Sequence, residues 1–414
     1  MSTVTRVGED TERLRPGPVR ADRVDGETLP APATTIPFTR TQICPAAMDA
    51  ALSVLQSGWV TTGPQVAIFE HELARGVHAP RAVAVSSCTA AIELALRGLR
   101  LPEGSPVLVS ANTFCGAIGA ILSADLTPVL VDVDPLTGTP SEATTAAAAA
   151  DLVGPTAMLV VHLAGYPADS AALAAAARIG LDMVVEDAAH ALGTWVRDRP
   201  VGNLCRATCF SFYATKNLAI GEGGMLTTAD DRLADDATRA RLHGMSRDAW
   251  RRYLPGGNWR YDVAEHGLKA NMTDLQAAIG RAQLADFDRV QTRRRAVAHR
   301  YSTHLAEVPG LTLPREPLAG RHAWHLYAVR VGPAYGIGRD ELIEQLGRRG
   351  ISTSVHFIPA HRLTYYGSAC ASPAGGLPGA DAVFAQTLSL PLDAVISDME
   401  IDTVAGALEE IGTR

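Results

Sequence analysis

Between residues 82 and 211, short apolar runs alternate with stretches of helical spacing, and this alternation narrows the folds open to the chain. The runs cover 82–86, 106–110, 127–133, 157–162, 183–186 and 207–211. They are apolar throughout rather than at every second residue. Such strands must be covered on both faces. Parallel neighbours also need long crossovers, which helices provide. The intervening stretches 90–99, 115–124, 141–150 and 170–179 supply them. The run 141–150 is rich in alanine, the best helix former, and reads as a helix. The fold class is therefore α/β with a buried, mostly parallel sheet.

The flanks differ. Residues 1–36 are rich in Pro, Arg, Glu and Thr with little apolar periodicity, and read as a flexible N-terminal arm. A helix is expected at 48–55 and a Gly/Pro loop at 57–64. Beyond residue 230 the pattern turns helical, with one long helical region expected from 275 to 305. The last part reads as α+β, with strands at 323–331 and 352–357 and helices at 339–349 and 399–411. The expected division is 1–36, an arm; 37–285, a large domain; and 286–414, a small C-terminal domain.

Composition excludes several classes. Hydrophobic residues make up 47% and charged residues 20% of the 414, an ordinary globular balance. The net charge of −7 and the absence of any Lys/Arg-rich run argue against a nucleic-acid partner. No apolar run reaches 18 residues and the charged N-terminus lacks the core of a secretory signal, so no membrane association is expected. The cysteines Cys44, Cys88, Cys115, Cys205, Cys209 and Cys370 are scattered. They read as reduced thiols of a cytoplasmic protein, with no metal site.

Three spots carry chemistry. The run 184–190 ends an apolar strand in Glu186 and Asp187, then a small-residue turn and His190. Ligands of open α/β sheets lie beyond the carboxyl ends of strands, where an Asp pairs with a cationic ring nitrogen. The competing reading is an ordinary Asp N-cap. At 209–217 a strand leads to Lys216, followed by the Gly-rich 221–224. A lysine that forms a Schiff base needs a low pKa and a dry site. The competing reading is a surface lysine beside a turn. Lys216 is, however, the only lysine before Lys269 in a chain that prefers arginine. At 85–91 a strand, a Ser/Thr turn and a helix N-terminus could seat an anion, or could be a plain N-cap.

Taken together, the motifs SGWVTTGP (57–64), SSCTAAIELAL (86–96), VDVDP (131–135), EDAAHALGT (186–194), SFYATKN (211–217), GEGGM (221–225), LHGMSRDAW (242–250), GLKANMTDLQAAIG (267–280), HAWHLY (322–327) and VHFIPAH (355–361) resemble those of the DegT/DnrJ/EryC1/StrS aminotransferases. The resemblance runs from about residue 36 to the C-terminus. It implies a fold-type I transferase that uses pyridoxal 5′-phosphate (PLP). Its architecture would be a mostly parallel seven-stranded sheet in a large domain plus a smaller α+β domain. It also implies a homodimer with shared active sites.

By the same resemblance, Lys216 holds the cofactor and shuttles the proton, and Asp187 pairs with the pyridine nitrogen. His190 lies near the ring oxygen. Thr89, Ala90 and Ser211 hold the phosphate, and Phe114 lies against the ring face. Asn271, or alternatively Lys269, reaches the neighbouring subunit's phosphate. Candidates for substrate binding are Trp59, Thr62, His325, Tyr327, His356 and His361.

Cys88 stands where the family usually has Gly, so its turn must avoid positive φ or bear strain. The implied reaction carries an amino group, from L-glutamate, to a keto group of a nucleotide-linked deoxysugar at C4, with ping-pong kinetics. A cyclitol or 3-keto-sugar aminotransferase, another PLP enzyme of secondary metabolism, and a non-catalytic regulator on the same fold remain alternatives. The intact Lys216, Asp187 and Ser211 count against the regulator.

Overall fold

The computed structural model describes residues 35–245 and 261–412. The arm expected at 1–36 lies almost wholly outside them, as does the 246–250 part of LHGMSRDAW. From Ile36 onward the chain forms one contact-dense unit.

The N-terminal helices are α1 (Pro45–Ser57) and α2 (Pro64–Gly76). Both begin on proline, whose fixed φ suits the first helical turn. Alternation then builds β1 (Arg81–Val85), α3 (Cys88–Gly98), β2 (Pro106–Ser110), α4 (Cys115–Ser123), β3 (Thr127–Val131), α5 (Glu142–Ala149), β4 (Ala157–Val161), α6 (Ser170–Ala177) and β5 (Val184–Asp187). After two short strands, β6 (Trp195–Val196) and β7 (Arg199–Pro200), come β8 (Ala207–Ser211), β9 (Gly224–Thr228) and α7 (Asp231–Ala240). Side-chain caps mark the helix starts: Ser87 for α3, Ser141 for α5, Asp169 for α6 and Asp230 for α7.

The seven-stranded sheet has the order β1-β9-β8-β5-β4-β2-β3. All its pairs are parallel except the two made by β9. All five residues of β4 are buried, as a sheet covered on both faces requires. The Gly-rich turn therefore runs straight into a strand that the apolar pattern alone did not reveal. Gly224 begins it, and a Cβ there would come within 2.4 Å of the Ser87 carbonyl carbon. A bare backbone at Gly224 thus lets β9 pass the start of α3.

The remaining elements are α8 (Asp274–Ala285), α9 (Phe287–Leu305), β10 (Leu311–Thr312), β11 (Gly320–Arg321), β12 (Tyr327–Val331), α10 (Arg339–Arg348), α11 (Thr364–Ala369), α12 (Pro378–Gln386), β13 (Thr387–Leu390) and α13 (Asp398–Gly412). The single helical region expected at 275–305 is two helices, separated at Asp286, whose φ of −96° and ψ of 1° leave the helical range. A separate apolar core gathers Ile36, Val297, Tyr301, Leu305, Tyr327 and the inner face of α13. The last third is not wholly apart, because Ala360, Leu377, Ala380 and Val383 pack into the core of the large sheet.

Two strand expectations are corrected. Only 327–331 of the stretch 323–331 is strand, because Trp324 has φ +49° and breaks the extended backbone before Tyr327. Likewise 352–357 is not a strand; it makes one isolated bridge, Ser354 with Ser389, next to that of Ile351 with Ile36.

Candidate active site

Strand ends β5 and β8 and the start of α3 converge on a cavity of about 440 Å³. Its wall includes Cys88, Thr89, Phe114, Asp187, His190, Ser211, Lys216, His325 and His356. Of the site residues read from the sequence, these are the ones that meet. Ala90 is not part of the wall, and its N–H is taken by Ser87 Oγ at 3.1 Å.

Lys216 follows β8 in a turn whose N–H donates to the Tyr213 carbonyl at 2.9 Å. Burial lowers its pKa to about 8, against the opposing pull of Asp187. Asp187 ends β5. Its Oδ1 accepts the Ala189 N–H at 3.0 Å and lies 3.8 Å from Cys88 Sγ, while Oδ2 has no hydrogen-bond partner among the described residues. Burial raises its pKa, and the Ala189 N–H and Lys216 act against that rise. A buried carboxylate with one oxygen open to a cavity calls for a cation.

Beneath Asp187 lies a second polar cluster. The neighbouring Glu186 points to the other face of the sheet and accepts from Ser170 and Thr208, both at 2.7 Å. His162 Nε2 lies 3.4 Å from the same carboxylate.

The start of α3 presents free N–H donors of the kind that suit an anion. The first N–H groups of a helix have no intrahelical acceptor, and the Ser87 cap takes only that of Ala90. Cys88 and Thr89, whose N–H groups have no intrahelical acceptor, line the cavity with Ser211. Cys88 is a helical residue and has no positive φ, so the thiol is carried without backbone strain.

The aromatic walls are Phe114, Phe357 and the imidazoles. Phe114 is 55% exposed on the cavity side of α4 and lies 5.6 Å from Phe357 between ring centroids. Burial is the main cause that holds His190 well below its ordinary pKa, reinforced by Lys216. Burial and Lys216 likewise lower His356 to about 4. His356 is stacked at 5.4 Å on Phe38. Phe38, Tyr213 and Phe357 were not singled out from the sequence, although the last two lie inside motifs that were.

Other candidates lie elsewhere. Tyr327 is fully buried in the second core, 5.1 Å from Tyr301 and hydrogen-bonded to Ser302 Oγ at 2.9 Å. His361 pairs with Asp381 at 3.0 Å, away from the cavity wall. Trp59, Thr62, Lys269 and Asn271 form a cluster of their own. Trp59 Nε1 donates to the Thr62 carbonyl at 3.2 Å, and Asn271 Nδ2 donates to Thr62 Oγ1 at 2.7 Å. Lys269 Nζ donates to Asn271 Oδ1. None of these four residues lines the cavity.

A lysine of lowered pKa, a half-open buried carboxylate and the start of α3 thus face one space. Residues 42–409 match the DegT/DnrJ/EryC1/StrS aminotransferase family. The chain belongs to that family. It is 42% identical, over 91% of its length and 97% of the relative's, to the spore coat polysaccharide biosynthesis protein SpsC of Bacillus subtilis. Among solved structures it resembles Spr1654 from Streptococcus pneumoniae in its PLP form, with a TM-score of 0.83, 29% identity and coverage of 92% and 99% of the two chains. It also resembles the sugar aminotransferase CalS13 from Micromonospora echinospora, with a TM-score of 0.80, 30% identity and coverage of 91% and 99%.

As a family member the chain is a PLP-dependent aminotransferase. Its residues fit that cofactor: the seat at α3 matches a phosphate, Asp187 Oδ2 a protonated ring nitrogen, and the Lys216 amine an aldehyde carbon.

Proposed function

We propose that this aminotransferase moves an amino group from an amino acid, L-glutamate, to the C4 keto group of a nucleotide-linked deoxysugar. The observation that carries the reading is Lys216, a lysine of lowered pKa lining one cavity with Asp187 and the start of α3. The sugar class is supported by CalS13 and by the polysaccharide pathway named for SpsC. The C4 position rests on the segments 242–250 and 267–280.

When bound, PLP supplies an electron sink for charge at the carbon next to the transferred nitrogen. The rest is the work of the chain. Lys216, once its amine is free, would take a proton from that carbon and deliver one to the carbon on the other side of the transferred nitrogen. A pKa near 8 leaves a useful fraction of the amine unprotonated at neutral pH. Asp187 keeps the ring nitrogen protonated. The N–H groups of Cys88 and Thr89, with Ser211 Oγ, fix the phosphate. Burial of Lys216 keeps a share of its amine unprotonated, and the low polarity of the site keeps the charges strongly coupled, with Phe114 and Phe357 forming one aromatic side of the cavity.

We further assign a homodimer in which the Thr62–Asn271–Lys269 cluster serves the second subunit's cavity. Two features support this. That cluster does not line its own chain's cavity. In addition, α1 carries an exposed apolar stripe of Met48, Leu52 and Leu55, at 56%, 54% and 54% exposure.

The test is a two-stage assay. The PLP-loaded enzyme is converted with glutamate, freed of donor, and mixed with a panel of nucleotide-4-keto-sugars, 3-keto-sugars and keto-cyclitols. Return of the long-wavelength absorbance with a 4-keto-sugar, and weakly or not at all with the others, supports the reading. Turnover only of a cyclitol or a 3-keto-sugar replaces it.

A further inference from the structure

The His190 and His325 rings pack with centroids 4.2 Å apart and planes tilted by 37°, in the wall that also holds Lys216. Their partners determine where each ring carries its proton. The Ala323 carbonyl can only accept, so the Asn217 amide nitrogen must face it, at 2.8 Å. The second Asn217 N–H donates to Gln291 Oε1, also at 2.8 Å. That leaves Asn217 Oδ1, a pure acceptor, 3.1 Å from His325 Nδ1. Nδ1 is therefore the nitrogen that carries hydrogen, and in a neutral ring the lone pair falls on Nε2.

Burial, with His190, Lys216 and Arg294 nearby, keeps the His325 ring neutral. Its Nε2 has no hydrogen-bond partner among the described residues. His190 has the opposite tautomer, because the Ala164 N–H donates to its Nδ1 at 3.2 Å and leaves the hydrogen on Nε2.

The backbone is built to hold this. The Ala164 carbonyl accepts the His325 N–H at 2.9 Å, and Arg294 Nη1 donates to the carbonyls of Trp324 and His325 at 3.0 and 3.2 Å. Asn217 directly follows Lys216, so one side chain ties the lysine turn to His325 and to Gln291 of α9.

We propose that His325 selects the acceptor by taking a hydrogen bond from a sugar hydroxyl at its unprotonated Nε2, and that Asn217 is the positioning residue that fixes this tautomer. The proposal rests on the sugar-acceptor reading above. A lone pair attracts an O–H group and repels carboxylate oxygens, so it favours the polyhydroxy acceptor over the carboxylates of the amino-acid donor.

Two measurements test it on the PLP-loaded enzyme. The first is NMR of protein with ¹⁵N-labelled histidine, the His325 signals being those lost in His325→Asn. The expected result is hydrogen on Nδ1 in the parent and loss of that preference in Asn217→Ala. The second compares half-reactions with glutamate and with a nucleotide-4-keto-6-deoxyhexose that the parent turns over. His325→Asn keeps a donor for Asn217 but has nothing at the Nε2 position. It should raise KM for the sugar by about tenfold with a much smaller change in kcat. His325→Gln, which puts an oxygen near Nε2, should recover most of the loss. Asn217→Ala should move KM in the same direction.

Hydrogen on Nε2 of His325, an unchanged sugar KM in His325→Asn, or an equal loss on the glutamate side each overturns the proposal. If the parent aminates no keto-sugar while the tautomer is as stated, the sugar reading has failed, and the hydroxyl contact fails with it.

Discussion

Cys88 Sγ lies 3.8 Å from Asp187 Oδ1 and 3.3 Å from the Cys209 carbonyl, which puts a thiol under the carboxylate that faces the cavity. Burial pushes the Cys88 thiol well above its ordinary pKa, and the charge of Asp187 adds to the effect. The reactive thiolate is therefore scarce. Native PLP-loaded protein treated with N-ethylmaleimide at pH 8 should keep Cys88 unmodified, and unfolding in urea should expose it fully. Peptide mapping by mass spectrometry checks this. Rapid native labelling of Cys88 would contradict the buried geometry.

The chain contains only two lysines, Lys216 and Lys269. Borohydride reduction of the PLP-loaded protein should leave the cofactor's mass on the Lys216 peptide alone. Lys216→Ala should lower kcat by about 10³-fold or more, since the amine proposed to move the proton is lost. Cofactor mass on Lys269, or a Lys216→Ala variant with near-normal turnover, would remove Lys216 from its role.

Arg294 is a buried guanidinium whose burial lowers its pKa to about 10, partly opposed by Asp393. Its Nη1 satisfies two carbonyls next to Trp324, which holds φ +49°. A bulky residue persists in that region only where its surroundings impose it. Arg294→Met keeps the apolar stem and removes the donor. It should cost about 2–4 kcal/mol of stability in urea titrations, from carbonyls left without a partner and a loosened turn. A change under about 0.5 kcal/mol would show that the turn holds without the clamp.

The stripe of Met48, Leu52 and Leu55 bears on assembly. Leu52→Glu places a charge in the middle of it. Sedimentation should report a dimer for the parent and a shift toward monomer for the variant, with activity falling as the dimer is lost. A variant that stays dimeric at low micromolar concentration would mean the subunits meet elsewhere.

The large sheet was legible because its strands are continuous apolar runs, and burial on both faces leaves no other reading. Strand β9 was not, since Gly223 and Gly224 hide its start and its place is set by the close approach to Ser87. Asp187 and Lys216 were legible as a strand end and an isolated lysine. Tyr327 was misjudged for a physical reason. In an unbroken strand it would share a face with His325, but the chain bends at His325 and the strand begins only at Tyr327. That sends His325 to the cavity and Tyr327 against Tyr301 and Ser302. Asn217 could not have been read from sequence, because its role depends on Ala323 and Gln291, which only the fold brings near.

His322 gives the clearest pH signature. Its ring stacks on Trp324 at 4.0 Å, and its Nδ1 accepts the Trp324 N–H at 2.8 Å. Burial lowers its pKa to about 3, whereas the unfolded chain titrates near the ordinary histidine value of about 6.5. Since the folded value is the lower one, the unfolded chain binds the proton first as pH falls. The full contribution to stability is therefore present above pH ~6.5 and is lost progressively as pH falls toward 3, at up to about 1.4 kcal/mol per pH unit. His322→Asn keeps an acceptor for the Trp324 N–H and removes the titration. Its unfolding midpoint in urea should be lower than the parent's at pH 7.5, and the gap should narrow steadily toward pH 4.5. A gap that stays constant across that range would mean His322 does not titrate differently in the two states.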